Sequence, residues 1–277
     1  MNKGIILGID LGGTQIRGGR VTGGIISGMK AQKINAKASS EDMLQQLFSF
    51  TETLLDPSVK AIGIGVPGLV HENIVYDVVN IPSWKKVPLS QLMEEKFRLP
   101  VRVNNDANCF ALGEYHHGKG QGFDSMIGLT IGTGLGSGII IDKQLFSGCN
   151  GGAGEFGMME YLEHCYEYYA SGQFFENIHH ISGEKVFSAA CAGDAAAIGM
   201  YEEMGIHLGK AIKAILYAYD VPLIVLGGSV SAAFPYFSRS MWEEIKTFGF
   251  VNTLKNLKIE VSDLQNSGIL GASSLFE

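Results

Sequence analysis

The chain contains no run of lysine and arginine, and its 21 basic residues are outnumbered by 28 acidic ones across 277 positions. Nucleic acids and anionic membranes need a concentrated positive surface, so this balance argues against both as main partner and points to a small ligand. Cysteine is scarce: Cys109, Cys149, Cys165 and Cys191 lie 40, 16 and 26 residues apart, with no C-x-x-C pair. Such spacing fits reduced thiols in a cytoplasmic protein better than a disulfide framework or a zinc ribbon. No apolar stretch approaches the ~18 residues of a membrane span, and only one Lys precedes the short run Gly4-Ile5-Ile6-Leu7, too little for a signal peptide. A soluble intracellular chain is expected. With 46% hydrophobic residues, disorder and fibrous folds are excluded, and the length allows one large domain or two modest ones.

What is abundant is glycine, 37 residues or about 13% of the chain, nearly twice the usual ~7%. It follows no G-X-Y period, which implies tight turns and close backbone approaches to a ligand. The pattern of elements is α/β. Ile5 to Ile9 and Gln15 to Val21 read as strands of a hairpin about Leu11-Gly12-Gly13-Thr14. A similar unit follows about 120 residues later, Met126 to Ile131, Gly132-Thr133-Gly134, then Gly136 to Ile141. Glu41 to Leu55 carries a helical apolar spacing, with Ser39 and Asp42 as a capping pair and Pro57 closing it. Val59 to Val66 reads as a strand ending in Pro67-Gly68, and Leu89 to Phe97 as a short helix between prolines. Val101 to Val103 is a further strand delivering Asn104-Asn105-Asp106. Ala107 to His117, Asp194 to Tyr219 and Phe234 to Thr247 read as helices, and Leu223 to Leu226 as a strand entering Gly227-Gly228. No linker separates the halves, so a boundary is expected within continuous structure, just after Asp106.

Two glycine patterns are decoys. Gly63-x-Gly65-x-x-Gly68 fits the dinucleotide expression but contains Pro67 and precedes no helix, and Gly113 to Lys119 nearly spells a P-loop but puts Gly120 where Mg²⁺ needs a hydroxyl. The two glycine hairpins carry more. Backbone N–H groups can grip phosphates where glycine lets the main chain approach, with Thr14 or Thr133 adding a donor and Asp10 holding Mg²⁺ directly or through water. Two structural β-turns with an incidental Asp remain the plainer alternative. Asp106, between strand and helix, is placed equally for a helix cap and for a carboxylate reaching a ligand. Glu155 projects from a Gly-rich loop of the kind that carries binding groups. Glu167 lies among Tyr161, Tyr166, Tyr168, Tyr169, Phe174 and Phe175, which composition alone reads as core or interface. The pairs His116-His117 and His179-His180 have no metal-ligand spacing and read as solvated helix ends.

Taken together, Asp10-Leu-Gly-Gly-Thr14, Gly65-Val-Pro-Gly68, Asn105-Asp-Ala-Asn108, Ile131-Gly-Thr-Gly-Leu-Gly136, Ala153-Gly-Glu-Phe-Gly157 and Leu226-Gly-Gly228 resemble, in order and spacing, the ROK family of sugar kinases over nearly the whole chain. The resemblance implies a two-lobed actin-like ATPase (ribonuclease H-like) fold with an interlobe cleft. It places the small lobe at 1–106 plus 266–277 and the large lobe at 107–265. It implies a homodimer binding ATP, Mg²⁺ and a hexose, and transfer of the ATP γ-phosphate to the hexose 6-hydroxyl. By the same resemblance Gly12, Gly13 and Thr14 form the first phosphate loop, Thr133 and Gly134 belong to the second, and Gly227-Gly228 turn beneath the adenosine. Asp106 resembles the catalytic base, Asn105, Glu155 and Glu167 the sugar ligands, and Gly68 a backbone contact to the sugar. Glucose is the expected acceptor; N-acetylmannosamine, N-acetylglucosamine, fructose or allose, or a non-catalytic sugar sensor, are the alternatives.

The sequence departs from the family at one site. Family members have His in Glu-x-Gly-His and a cysteine-rich loop that together bind a structural zinc, whereas here the position is Met158 and only Cys165 remains. A thioether and one thiol make no four-ligand site, so no zinc is expected and the aromatic stretch is expected to hold Glu155 and Glu167. Repressor members also carry a DNA-binding helix-turn-helix segment before the first phosphate loop. This chain starts almost directly with the strand, so no DNA binding of that kind is expected.

Overall fold

The computed structural model describes residues 4–277. Its elements are β1 (Ile5–Leu11), β2 (Gln15–Thr22), β3 (Ile25–Lys33), α1 (Ser40–Glu52), β4 (Val59–Val66), β5 (Leu69–His71), β6 (Ile74–Tyr76), β7 (Lys86–Val87), α2 (Leu89–Phe97), β8 (Val101–Asn105) and α3 (Asp106–His117). There follow β9 (Met126–Ile131), β10 (Leu135–Ile141), β11 (Gln144–Leu145), β12 (Glu160–Tyr161), β13 (His164–Cys165), α4 (Tyr166–Ala170), α5 (Gln173–His179), α6 (Gly183–Cys191) and α7 (Ala195–Tyr219). The last are β14 (Leu223–Gly227), α8 (Phe234–Ile245), α9 (Val251–Asn256), β15 (Lys258–Val261) and α10 (Ser267–Ser274). Contacts divide the chain into two units: one reaching to Gly122 and adding Gly138–Ala153 and Asp263–Glu277, the other Phe123–Ser137 and Gly154–Ser262.

The first unit is built on a sheet of order β3-β2-β1-β4-β8, with β1, β4 and β8 parallel and the β1-β2-β3 meander antiparallel. Every second residue of β1, namely Leu7, Ile9 and Leu11, is buried, as are Ile62, Ile64 and Val66 of β4, and these share a core with Met43, Leu47 and Phe50 of α1. Ser39 caps α1 by accepting from the Asp42 N–H at 3.1 Å, while its hydroxyl donates to the Asp42 carboxylate at 2.8 Å. The expected capping pair is the observed one. The excursion β5-β6-β7, which periodicity did not reveal, is anchored by Trp84, Ile81 and Val78, all essentially buried.

One glycine of each decoy pattern, Gly63 and Gly113, has a packing explanation. A Cβ on Gly8 would overlap the carbonyl oxygen of Ile269, on Gly63 that of Ala272, on Gly113 that of Ser267, and on Gly271 that of Cys109. Helix α10 therefore meets β1, β4 and α3 backbone to backbone, along a seam only glycine can line. This seam also keeps α3 with the first unit, so the division falls beyond α3 rather than just after Asp106.

In the second unit β9, β14 and β15 are parallel neighbours, in the order β9-β14-β15. The strand β10 begins in this unit and carries the chain back into the first, where it forms a hairpin with β11. The 25-residue α7 starts at the cap Asp194, whose carboxylate accepts from the Ala197 N–H at 2.8 Å. It packs on α8, where a Cβ on Gly209 would stand 2.8 Å from the Met241 carbonyl oxygen.

The seam makes a prediction of sign. By helix propensity Gly271→Ala would stabilise α10 by up to ~1 kcal/mol; by overpacking against the Cys109 carbonyl it costs about 1–3 kcal/mol. The second effect is expected to win, so calorimetry of the variant shows a melting temperature lower by several degrees, and an unchanged or higher value removes the seam from the account.

Candidate active site

In the first unit the candidate residues gather at the C-terminal ends of three adjacent parallel strands. Asp10 of β1 is opposite Gly65 of β4, which is opposite Asn104 of β8. Two strand spacings thus separate Asp10 from Asn104, about 10 Å. Ligands of open α/β sheets commonly bind at this end. After Asp10 the Gly12 N–H donates to the Gln15 carbonyl at 2.9 Å, closing the turn that holds Gly13 and the exposed Thr14.

At the end of β8 the cap position falls on the neighbour of Asp106. The cap of α3 is Asn105: its Oδ1 accepts from the N–H groups of Ala107 at 2.8 Å and Asn108 at 3.2 Å, while its Nδ2 donates to the Gly68 carbonyl at 3.2 Å. One side chain therefore satisfies the helix start and ties it to the Gly65-Val-Pro-Gly68 turn. Asp106 is the first helical residue, with Oδ1 2.8 Å from the Ala107 N–H. Beneath it Cys109 is fully buried, and its thiol is pushed well above the ordinary value by burial first, then by Asp10 and Asp106. Both carboxylates therefore bear on the same buried sulfur.

Two residues here were missed in the sequence. Arg17 of β2 pairs with Asp10, Nη2 to Oδ2 at 2.6 Å. The signal was available, since Asp10 and Arg17 are cross-strand partners about the Gly13-Thr14 turn. Asn80 had no signal: a Cβ on Gly13 would stand 2.7 Å from the Asn80 Cβ, so a residue 67 positions away lies against the first glycine loop. Val78, from the same excursion, lies against Gly68, 2.8 Å from where its Cβ would be.

The second unit holds Thr133, Gly134, Glu155, Glu167, Gly227 and Gly228. The glycine loop after β9 is closed by the Gly132 N–H donating to the Gly134 carbonyl at 2.9 Å. It is clamped by Ser171-Gly172: the Ser171 hydroxyl donates to the Thr133 carbonyl at 2.9 Å and the Gly172 N–H to the Gly132 carbonyl at 2.8 Å. Glu167 of α4 reaches the same loop, with Oε2 accepting from the Leu135 N–H at 2.9 Å and Oε1 from Gln173 Nε2 at 3.1 Å. Glu155 follows Gly154, whose φ of 96° suits glycine and whose carbonyl accepts from the Ser137 hydroxyl at 2.5 Å. Its carboxyl keeps contact with solvent but is crowded by protein, and its pKa is raised by that partial burial and then by Glu167. Gly228, with φ of 83°, turns the chain at the end of β14.

Two metals are implied by the resemblance, and the residues fit one of them. Mg²⁺ is commonly held by one or two carboxylates plus substrate phosphates. Asp10, beside the first glycine loop and already turned to a cationic partner, suits that role. Zinc does not fit. Met158 is 62% exposed and a thioether, Cys165 is half-buried, and among the described residues no three His, Cys, Asp or Glu side chains converge on a metal position.

Residues 6–277 match the ROK family. The chain is similar to the glucokinase of Streptomyces coelicolor, 31% identical, with 82% of this chain and 83% of the relative covered. It is also similar to the xylose repressor of Caldicellulosiruptor bescii, 29% identical over 83% of this chain and 67% of the relative. The crystal structure of a ROK family glucokinase from Streptomyces griseus in complex with glucose and AMPPNP is similar at a TM-score of 0.84 and 28% identity, covering 98% of this chain and 99% of that one. The fold is therefore the α/β actin-like ATPase fold expected from the motifs.

Two outcomes are expected. Because the folded-state pKa of Glu155 is raised, the stability tied to this group is present below the ordinary carboxylate range and lost as pH rises through the raised value. Thermal melts should show Glu155→Gln above the parent at pH 8, with the gap closing toward pH 4; a gap independent of pH contradicts the assignment. Elemental analysis of purified protein should find well under one equivalent of zinc.

Proposed function

The chain belongs to the ROK family, and we propose that it is an ATP-dependent hexose kinase that transfers the γ-phosphate to the 6-hydroxyl of glucose. The observation that carries this reading is the division of labour at the start of α3: Asn105 takes the cap, and Asp106 follows it at the strand ends, where the neighbouring parallel strands β1, β4 and β8 also bring Asp10.

Phosphoryl transfer asks the protein for positioning, charge neutralisation and removal of a hydroxyl proton. Asp106 takes the proton of the 6-hydroxyl as that oxygen bonds to the γ-phosphorus and the bond to ADP breaks. Gly12, Gly13, Thr14, Thr133 and Gly134 offer backbone and hydroxyl donors to the phosphates, with Gly227-Gly228 beneath the adenosine. Asp10 would hold Mg²⁺, which neutralises phosphate charge when bound. Gly68, Asn105, Glu155 and Glu167 are the sugar contacts. The choice of glucose is supported by the glucokinases among the relatives.

A coupled ADP-release assay across glucose, mannose, fructose, allose and the N-acetylated hexoses tests the activity, with sugar-dependent turnover highest on glucose expected. Hexose binding without turnover would make the protein a sensor, a reading that its xylose-repressor relative keeps in view. Asp106→Asn should retain hexose affinity while kcat falls by on the order of 10²–10⁴; near-parental turnover would remove Asp106 from its role.

A further inference from the structure

Helix α4 has five residues and no side-chain cap, far below the length at which a helix holds itself. Yet its second residue, Glu167, must be held well enough to bind the Leu135 N–H and Gln173 at once. The hairpin β12-β13 just before it is equally slight, two residues a strand. Something outside these elements fixes the carboxylate.

The fixing contacts converge on one phenol and one imidazole. The ring of Tyr161 lies flat on that of Tyr166, centroids 4.4 Å apart at 13°, and meets Tyr169 edge-on at 5.6 Å. Tyr166 and Tyr169 are the first and fourth residues of α4, so Tyr161 grips the helix on both sides of Glu167. Its hydroxyl is 3.0 Å from Nδ1 of His207, near the middle of the long α7. The His207 ring in turn packs on Tyr169 at 5.2 Å and Phe174 at 6.0 Å. Burial lowers the His207 pKa, so the ring is neutral near pH 7 and Nδ1 can accept the phenol proton. All of these residues belong to the second unit.

We propose that Tyr161 and His207 are positioning residues: their hydrogen bond fastens the hairpin and α4 to α7, and so fixes Glu167 together with the glycine loop that it holds through Leu135. The consequence for hexose binding rests on the function proposed above, while the fastening itself does not. Neither residue touches a substrate in this account. Both act through Glu167.

The test uses the full-length chain and three variants, Tyr161→Phe, His207→Phe and the double, of which the first removes only an oxygen. Hydrogen–deuterium exchange of peptides covering 132–136 and 166–170 should quicken by about fivefold in each single variant, the effect of one ordinary hydrogen bond on an opening equilibrium. Peptides of α1 should be unchanged. The double variant should be no faster than the slower-exchanging single by more than twofold, because both singles break one bond. Steady-state kinetics should show hexose KM raised several-fold at near-parental kcat, whereas a merely structural role would lower active protein and leave KM alone. Unchanged exchange in these peptides, or effects that multiply in the double variant, would overturn the proposal. A parent without hexose-dependent turnover whose variants still exchange faster would sink the kinase reading and leave the fastening in place.

Discussion

The first unit depends on a line of absent side chains. At Gly8, Gly63, Gly113 and Gly271 a single added carbon would overlap a carbonyl oxygen, so α10 can sit on β1, β4 and α3 only because none is there. Close packing of this kind is stiff, since interiors yield little to added volume. The strand ends that carry Asp10 and Asn105-Asp106 inherit the stiffness. Asp10 itself lies against the same helix: a Cβ on Gly268 would stand 3.0 Å from its carboxyl carbon.

On that frame polar groups are shared out with little duplication. Asn105 satisfies the start of α3 and ties down the Gly68 carbonyl, and the neighbouring Asp106 shares the Ala107 N–H with it. Arg17 faces Asp10 across the hairpin and balances its charge. In the second unit the balance is less favourable, because Glu155 and Glu167 repel each other and Glu155 is crowded as well.

Much of this was legible in the sequence, for reasons that differ by element. The strand Val59–Val66 and the helix Leu89–Phe97 were bounded by proline or Pro-Gly and emerged with the expected limits. Asp194 to Tyr219 announced α7 by its length, and the structure adds Asp194 as its cap. Helix α10 was invisible because Ser-Gly-Ile-Leu-Gly-Ala-Ser-Ser has no apolar stripe, its small residues serving a seam set by distant partners. The same blindness made Gly63 and Gly113 look like fragments of nucleotide motifs. At the site the glycine loops and Asp106 were readable as local motifs. The placement of Asn80 beside Gly13 was not, since it depends on how a long excursion folds back. The pairing of Arg17 with Asp10 needed only the hairpin register.

The first unit is assembled from three separated stretches, and its last stretch supplies α10. On the ribosome, β1, β4 and α3 emerge with their glycine faces bare, and roughly 140 further residues must be added between Gly122 and Asp263 before the covering helix can be made. At about 5–20 residues per second that interval lasts roughly 7–28 s. Throughout it the faces of β1, β4 and α3 that α10 covers stay without it, and slow codons in that interval would lengthen the wait.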